Sequence, residues 1–171
     1  MTILETKRLL LQQATSGDAK FILELLNDPA FIQNIGDRGL RTLEDARNYI
    51  SNRLIASYKD YGFGMYLVIL KDTGEVAGIC GLVKRDGLDD VDIGYSFLPR
   101  YWSKGYATEA ALAVKEYAKN TIGLKRLVAI TDPLNQGSIR VLEKIGLKFE
   151  KMIRLSKDDI ELKLYGINFA D

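Results

Sequence analysis

Lys104, Gly105, Tyr106 and Ala107 stand where an alternating run gives way to a helical one, and a junction of that kind can hold an anion on its backbone. Upstream, Val91, Ile93, Tyr95 and Phe97 alternate with Asp92, Gly94 and Ser96, a period of two that predicts a strand ending at Pro99. Downstream, Ala107, Ala110, Ala111, Val114 and Ala118 recur at helical spacing, so one apolar stripe can face a sheet. The first amides of that helix have no intrahelical partner and lie at the positive end of its macrodipole, which suits a phosphate. Spacing rules out two commoner phosphate turns. A Walker loop needs Gly, four residues, then Gly-Lys-Ser/Thr, and Lys104-Gly105 has the reverse order. A dinucleotide turn needs Gly-x-Gly-x-x-Gly, and Gly62-Phe63-Gly64 is followed by Leu67 at the third position.

A second run, Asp132 to Leu147, reads as strand end, turn, helix and helix stop, with Asn135 as N-cap and Gly146 as a left-handed C-terminal cap. Acid/base chemistry has few candidates. The chain has no histidine and one cysteine, which excludes Ser-His and Cys-His machinery, an internal disulfide and a zinc cluster of cysteines. Cys80 lies in the apolar run Val76-Ala77-Gly78-Ile79-Cys80-Gly81-Leu82 and reads as an inert core thiol. Asp92 alternates with Val91 and Ile93 and so points to the opposite face of its strand, toward a cleft if its neighbours face the core.

Trp102-Ser103-Lys104-Gly105-Tyr106-Ala107 resembles the coenzyme A pyrophosphate loop of the GNAT superfamily of N-acetyltransferases, Arg/Gln-x-x-Gly-x-Gly/Ala. Its first position departs from that pattern, and Trp there resembles the ribosomal-protein N-acetyltransferase branch. Asn135-Gln136-Gly137-Ser138, followed by Leu142-Glu143-Lys144-Ile145-Gly146, is similar to the second coenzyme A motif of the same superfamily, in the same order along the chain.

The elements that must position these residues follow in order. Arg8 to Gln13 predicts a first strand, Asp18 to Asn27 a short helix, residues 28 to 41 a loop, and Thr42-Leu43-Glu44-Asp45 a capping box opening a second helix with Leu43, Ala46, Ile50, Leu54 and Tyr58 on one face. Met65 to Leu70 and Glu75 to Lys84 predict a hairpin across Lys71-Asp72-Thr73-Gly74. Lys125 to Thr131 predicts a buried strand, and Leu147 to Leu155 with Ile160 to Phe169 the last pair. At 171 residues the chain suits one domain, residues 1–171, of α/β (α+β) class with a mixed sheet. The resemblance implies the GNAT-like version: a mostly antiparallel, twisted sheet flanked by helices and splayed between the fourth and fifth of these strands, 91–97 and 125–131. A net charge of +1 gives no general field for nucleic acid. No apolar run reaches about 18 residues and the N-terminus lacks a signal core, so the expectation is a cytoplasmic protein without a membrane partner.

The resemblance implies a transferase in which an amine attacks acetyl-coenzyme A directly, with no metal. It implies the pyrophosphate on the amides of Lys104, Gly105, Tyr106, Ala107 and Thr108, in the loop that Trp102 begins; the pantetheine along Phe97 and Leu98; and Asn135 hydrogen-bonded to the pantetheine. In this branch a carboxylate, usually Glu, often stands where Asp92 does; the shorter Asp would accept the proton of the incoming ammonium through a water. Many members carry Tyr seven residues after the Asn. Here that residue is Leu142, which leaves Ser138 as the group to assist the departing thiolate, with Tyr165 a further candidate. The acceptor is a protein N-terminal amine or a small amine such as a polyamine, an amino acid or an aminoglycoside. The alternative is an acyl-coenzyme A-binding or partner-binding module that keeps the fold and lacks the chemistry. An exposed final strand could pair two subunits as a homodimer.

Overall fold

The computed structural model describes residues 1–169, so residues 170 and 171 of the expected domain lie outside the described residues. Among the described residues eight strands form one sheet: β1 (Thr2–Glu5), β2 (Leu9–Gln12), β3 (Met65–Leu70), β4 (Val76–Val83), β5 (Asp92–Phe97), β6 (Arg126–Thr131), β7 (Lys148–Ile153) and β8 (Leu162–Asn168). Their order in space is β1-β2-β3-β4-β5-β6-β8-β7. All neighbours run antiparallel except β5 and β6, which are parallel and joined through a helix, as a parallel pair requires. The helices are α1 (Ala19–Asn27), α2 (Pro29–Asn34), α3 (Leu43–Tyr49), α4 (Ala56–Tyr61), α5 (Tyr106–Tyr117) and α6 (Gln136–Lys144). This is the mixed, mostly antiparallel α/β architecture expected.

β3 and β4 read Met-Tyr-Leu-Val-Ile-Leu and Val-Ala-Gly-Ile-Cys-Gly-Leu-Val, nearly continuous apolar runs, and both are buried on both faces. Their hairpin turns through Gly74, whose N–H donates to Leu70 O at 2.8 Å. The predicted capping box is formed: Thr42 Oγ1 accepts from Asp45 N–H at 3.0 Å, and Asp45 Oδ2 accepts from Thr42 N–H at 3.1 Å.

Three features differ from the sequence reading. β1 pairs with β2 ahead of the predicted first strand; its four residues are too few for an alternation to register. Residues 29–34, expected within a loop, form α2, with Pro29 at the first helical position and Asp28 Oδ1 accepting from Ala30 N–H at 2.9 Å. The helix opened by Thr42 runs through α3 and α4 by way of a π-helical stretch, Ile50–Ile55. Ala46, Ile50, Leu54 and Tyr58 are spaced by four, which overruns a 3.6-residue turn; the wider turns take up the excess and keep the stripe on one face.

β5 and β6 meet at one register position, Asp92 opposite Val128, whereas β4–β5 and β6–β8 are each paired along their lengths. Past Asp92 the two strands diverge, which is the splay expected between 91–97 and 125–131.

Candidate functional site

The turn into α5 begins where β5 stops. Pro99–Tyr101 makes a single 3-10 turn, Ser103 adopts φ 62°, and Gly105 takes φ 83° as the N-cap of α5. A left-handed serine costs roughly 1 kcal/mol, and such strain persists where the surrounding structure fixes it. Gly105 brings no side chain to its own cap, and no side chain among the described residues caps this turn, which leaves the N–H groups that open α5, Tyr106, Ala107 and Thr108 among them, without a side-chain cap. The Lys104 side chain is exposed above them.

A brace from the distant N-terminus, not foreseen from the sequence, holds this turn. Arg8 Nη1 donates to Lys104 O at 2.9 Å, its guanidinium lies 4.5 Å from the Tyr106 ring centroid, and its Nε donates to Glu109 Oε1 at 2.7 Å. Glu109 also accepts from Thr6 Oγ1 and from Arg8 N–H. Burial pushes the Glu109 carboxyl up, but the hydrogen bonds from Thr6 and Arg8 and the Arg8 charge outweigh it and hold the group below the usual carboxylate range. A carboxylate in the first turn of a helix would repel any anion at that end; Arg8 pairs with this one. No periodicity links residue 8 to residue 109, so the sequence carries no signal for this pair.

Trp102 is 49% exposed, yet its Nε1 donates to Phe97 O at 2.8 Å, so the residue that departs from the pattern ties the turn to the end of β5. Leu98 is held by the protein itself: its N–H donates to Ala77 O at 3.1 Å, its carbonyl accepts from Tyr101 N–H at 2.9 Å, and its side chain is in the core. The reason is alternation: even-numbered groups in β5 turn toward β4, while odd-numbered ones turn toward β6. Val91 O, accordingly, accepts from Val128 N–H at 3.1 Å. Beyond that bond the splay leaves the Tyr95 and Phe97 N–H groups facing a gap.

Asp92 lies at the closed end of that gap. It is 1% exposed and bound through both oxygens by Arg85, Nε to Oδ1 and Nη2 to Oδ2, each at 3.1 Å. Burial pushes its carboxyl above the usual range, and the hydrogen bonds and charge of Arg85 pull the other way without cancelling the rise. Arg85 lies in the turn after β4, where no sequence period signals its pairing with Asp92.

On the opposite face of β5, the Tyr95 hydroxyl stands 3.0 Å from Ser138 O and 3.1 Å from Ser138 Oγ, joining β5 to the first turn of α6. Asn135 caps α6, its Oδ1 accepting from Ser138 N–H at 3.1 Å, which leaves its amide NH2 group as the remaining donor. Leu142 is buried in the core. Tyr165 packs edge-on against Phe149, ring centroids 5.9 Å apart. Cys80 is fully buried, and burial pushes its thiol up, as an inert core residue requires. Among the described residues, no group of three or more His, Cys, Asp or Glu side chains gathers as a metal site would, and no helix is long and apolar enough to cross a membrane.

A sheet opened between two parallel strands, with uncapped helix amides at the mouth of the opening, is the architecture this chain shares with its relatives, and they give it a family. Residues 8–148 match the family described as "Acetyltransferase (GNAT) domain", and the chain belongs to that family. It is 34% identical over 145 residues to the Bacillus subtilis "uncharacterized N-acetyltransferase YnaD", covering 85% of this chain and 82% of that one. It is 30% identical to an acetyltransferase (GNAT family) from Bacillus anthracis of known crystal structure, with a TM-score of 0.80 and 98% of each chain covered. RimL, a ribosomal L7/L12 alpha-N-protein acetyltransferase solved with coenzyme A, shares the fold at a TM-score of 0.82 and 18% identity, over 98% of each chain. The protein is an N-acetyltransferase.

Proposed function

We propose that the chain, acting as one domain, moves the acetyl group of acetyl-coenzyme A directly to a primary amine, in the manner of the ribosomal-protein N-acetyltransferase branch. The observation that carries the reading is the uncapped first turn of α5 beside the open end of β5. A diphosphate suits those amides and the positive helix end, and an extended chain of amide groups suits the Tyr95 and Phe97 N–H groups in the gap. Bound there, acetyl-coenzyme A supplies the thioester; the protein supplies position and proton handling. Asp92 takes the proton of the arriving ammonium, through a water because its side chain is short and enclosed, and a carboxyl pushed upward by burial is the better base near neutral pH. Ser138 directs its hydroxyl at the departing sulfur. Since alternation sends Asp92 and Tyr95 to opposite faces of β5, the amine and the thiol would occupy opposite sides of the opening.

The acceptor proposed is a protein N-terminal amine, as RimL takes. Thiol release from acetyl-coenzyme A with a panel of short peptides, spermidine, free amino acids and an aminoglycoside tests this: peptide-dependent release is expected. Release only with a small amine would replace the acceptor, and binding without any acceptor-dependent release would favour the binding-module alternative, which the buried Leu142 in place of a phenol also favours.

A further inference from the structure

Tyr95 does something a packing aromatic need not do. Its ring lies opposite Cys80 of β4 in the interior, but its hydroxyl crosses from β5 to α6 and meets both oxygens of Ser138. We propose that Tyr95 is the positioning residue for thiol departure, its phenol aiming the Ser138 hydroxyl into the gap between β5 and β6. The inference rests on the role given to Ser138 above and adds the group that makes that role directional.

A serine hydroxyl rotates freely unless its oxygen is engaged. The Ser138 N–H is fixed by Asn135, and the Tyr95 phenol stands within hydrogen-bond reach of both the Ser138 carbonyl and the Ser138 hydroxyl oxygen. The phenol has one proton and two acceptors within reach. When it donates to Ser138 Oγ, the proton of Ser138 must point elsewhere, and a sulfur gaining charge in the gap is the acceptor that strengthens the whole chain of hydrogen bonds. Burial pushes the phenol up, so Tyr95 stays protonated and a donor across the working range. As the carbon–sulfur bond breaks, its electron pair stays on sulfur and is met by the Ser138 hydrogen bond; no bond to the protein forms. The phenol absent at Leu142 on α6 is thus delivered from the facing strand.

The test needs no acceptor. Coenzyme A itself is bound to the wild-type protein and to Tyr95→Phe, Ser138→Ala and the double variant, and its thiol is titrated by the ultraviolet absorbance of the thiolate. A hydrogen bond to the thiolate lowers the midpoint. Each single substitution is expected to raise it by roughly one pH unit, and the double variant by no more than Ser138→Ala alone. A merely structural tie between β5 and α6 would alter coenzyme A affinity and leave the midpoint in place. A wild-type midpoint in Tyr95→Phe, with Ser138→Ala shifted, overturns the Tyr95 proposal alone. Neither shifted removes Ser138 as well, and failure of the wild type to take up coenzyme A removes the acetyl-coenzyme A reading itself.

Discussion

A carboxylate as enclosed as Asp92 would not ionise readily alone, and Arg85 is what makes its charged form tolerable. Because burial still leaves the folded-state value raised, the stability this group contributes is full below its unfolded value, near 3.9, and is lost as pH rises through the folded value. The proposed catalytic role runs the other way, since Asp92 could accept a proton only above that folded value. Arg85→Met should push Asp92 further up, shifting the acid limb of the kcat/KM profile to higher pH. It should also cost roughly 2 kcal/mol of stability at neutral pH, below the figure for fully buried pairs because Arg85 is partly exposed. Chemical denaturation at neutral and acid pH checks the second point: the deficit should shrink where Asp92 is protonated. Asp92→Asn should lower kcat by about 10²- to 10⁴-fold and erase the acid limb, and an unchanged profile would remove Asp92 from the chemistry. Asp92 was legible because alternation fixes a face. Arg85 was not, because a partner across a turn has no period, and Tyr95 read as one more apolar residue of its strand.

At the scale of elements, the start of α5 is held by the turn between β1 and β2. Arg8→Ala would free the Lys104 carbonyl and leave the charge of Glu109 beside the diphosphate, so calorimetry should show coenzyme A binding weakened about tenfold, the effect of losing a charged hydrogen bond. Arg8→Ala combined with Glu109→Gln should recover part of that loss, because the stranded charge is gone; no recovery would mean Arg8 acts only on the loop backbone. Gly105→Ala places a Cβ at φ 83°, 3.2 Å from Arg8 Nη2, and should cost roughly 1 to 2 kcal/mol in thermal unfolding along with weaker binding. The turn itself was legible, since a strand period, a glycine and a helix period follow one another there. The brace joins residues about a hundred apart in sequence, and α2 hid within an expected loop because six residues opening on a proline are too few for a periodic signal.

For the whole molecule, the sheet is two paired halves that touch at Asp92 and Val128, with Arg126 bonded to Asp90 and Glu150 near that junction. Hydrogen exchange should therefore find the Tyr95 and Phe97 amides fast in the free protein and slowed by coenzyme A, while Leu98 and Val128, bonded to Ala77 and Val91, stay protected throughout. Equal protection of all four without ligand would mean the gap closes in solution. The run of elements could be read from periodicity and turn residues, but the insertion of β8 between β6 and β7 could not, because strand order depends on which edges meet and not on any local pattern. The proposed grip on coenzyme A rests on the amides that open α5, and the most direct measurement follows their nuclear magnetic resonance signals as coenzyme A is added. The N–H groups of Tyr106, Ala107 and Thr108 should move most, with those of Tyr95 and Phe97 next; saturable binding that leaves these signals still and moves others would contradict it.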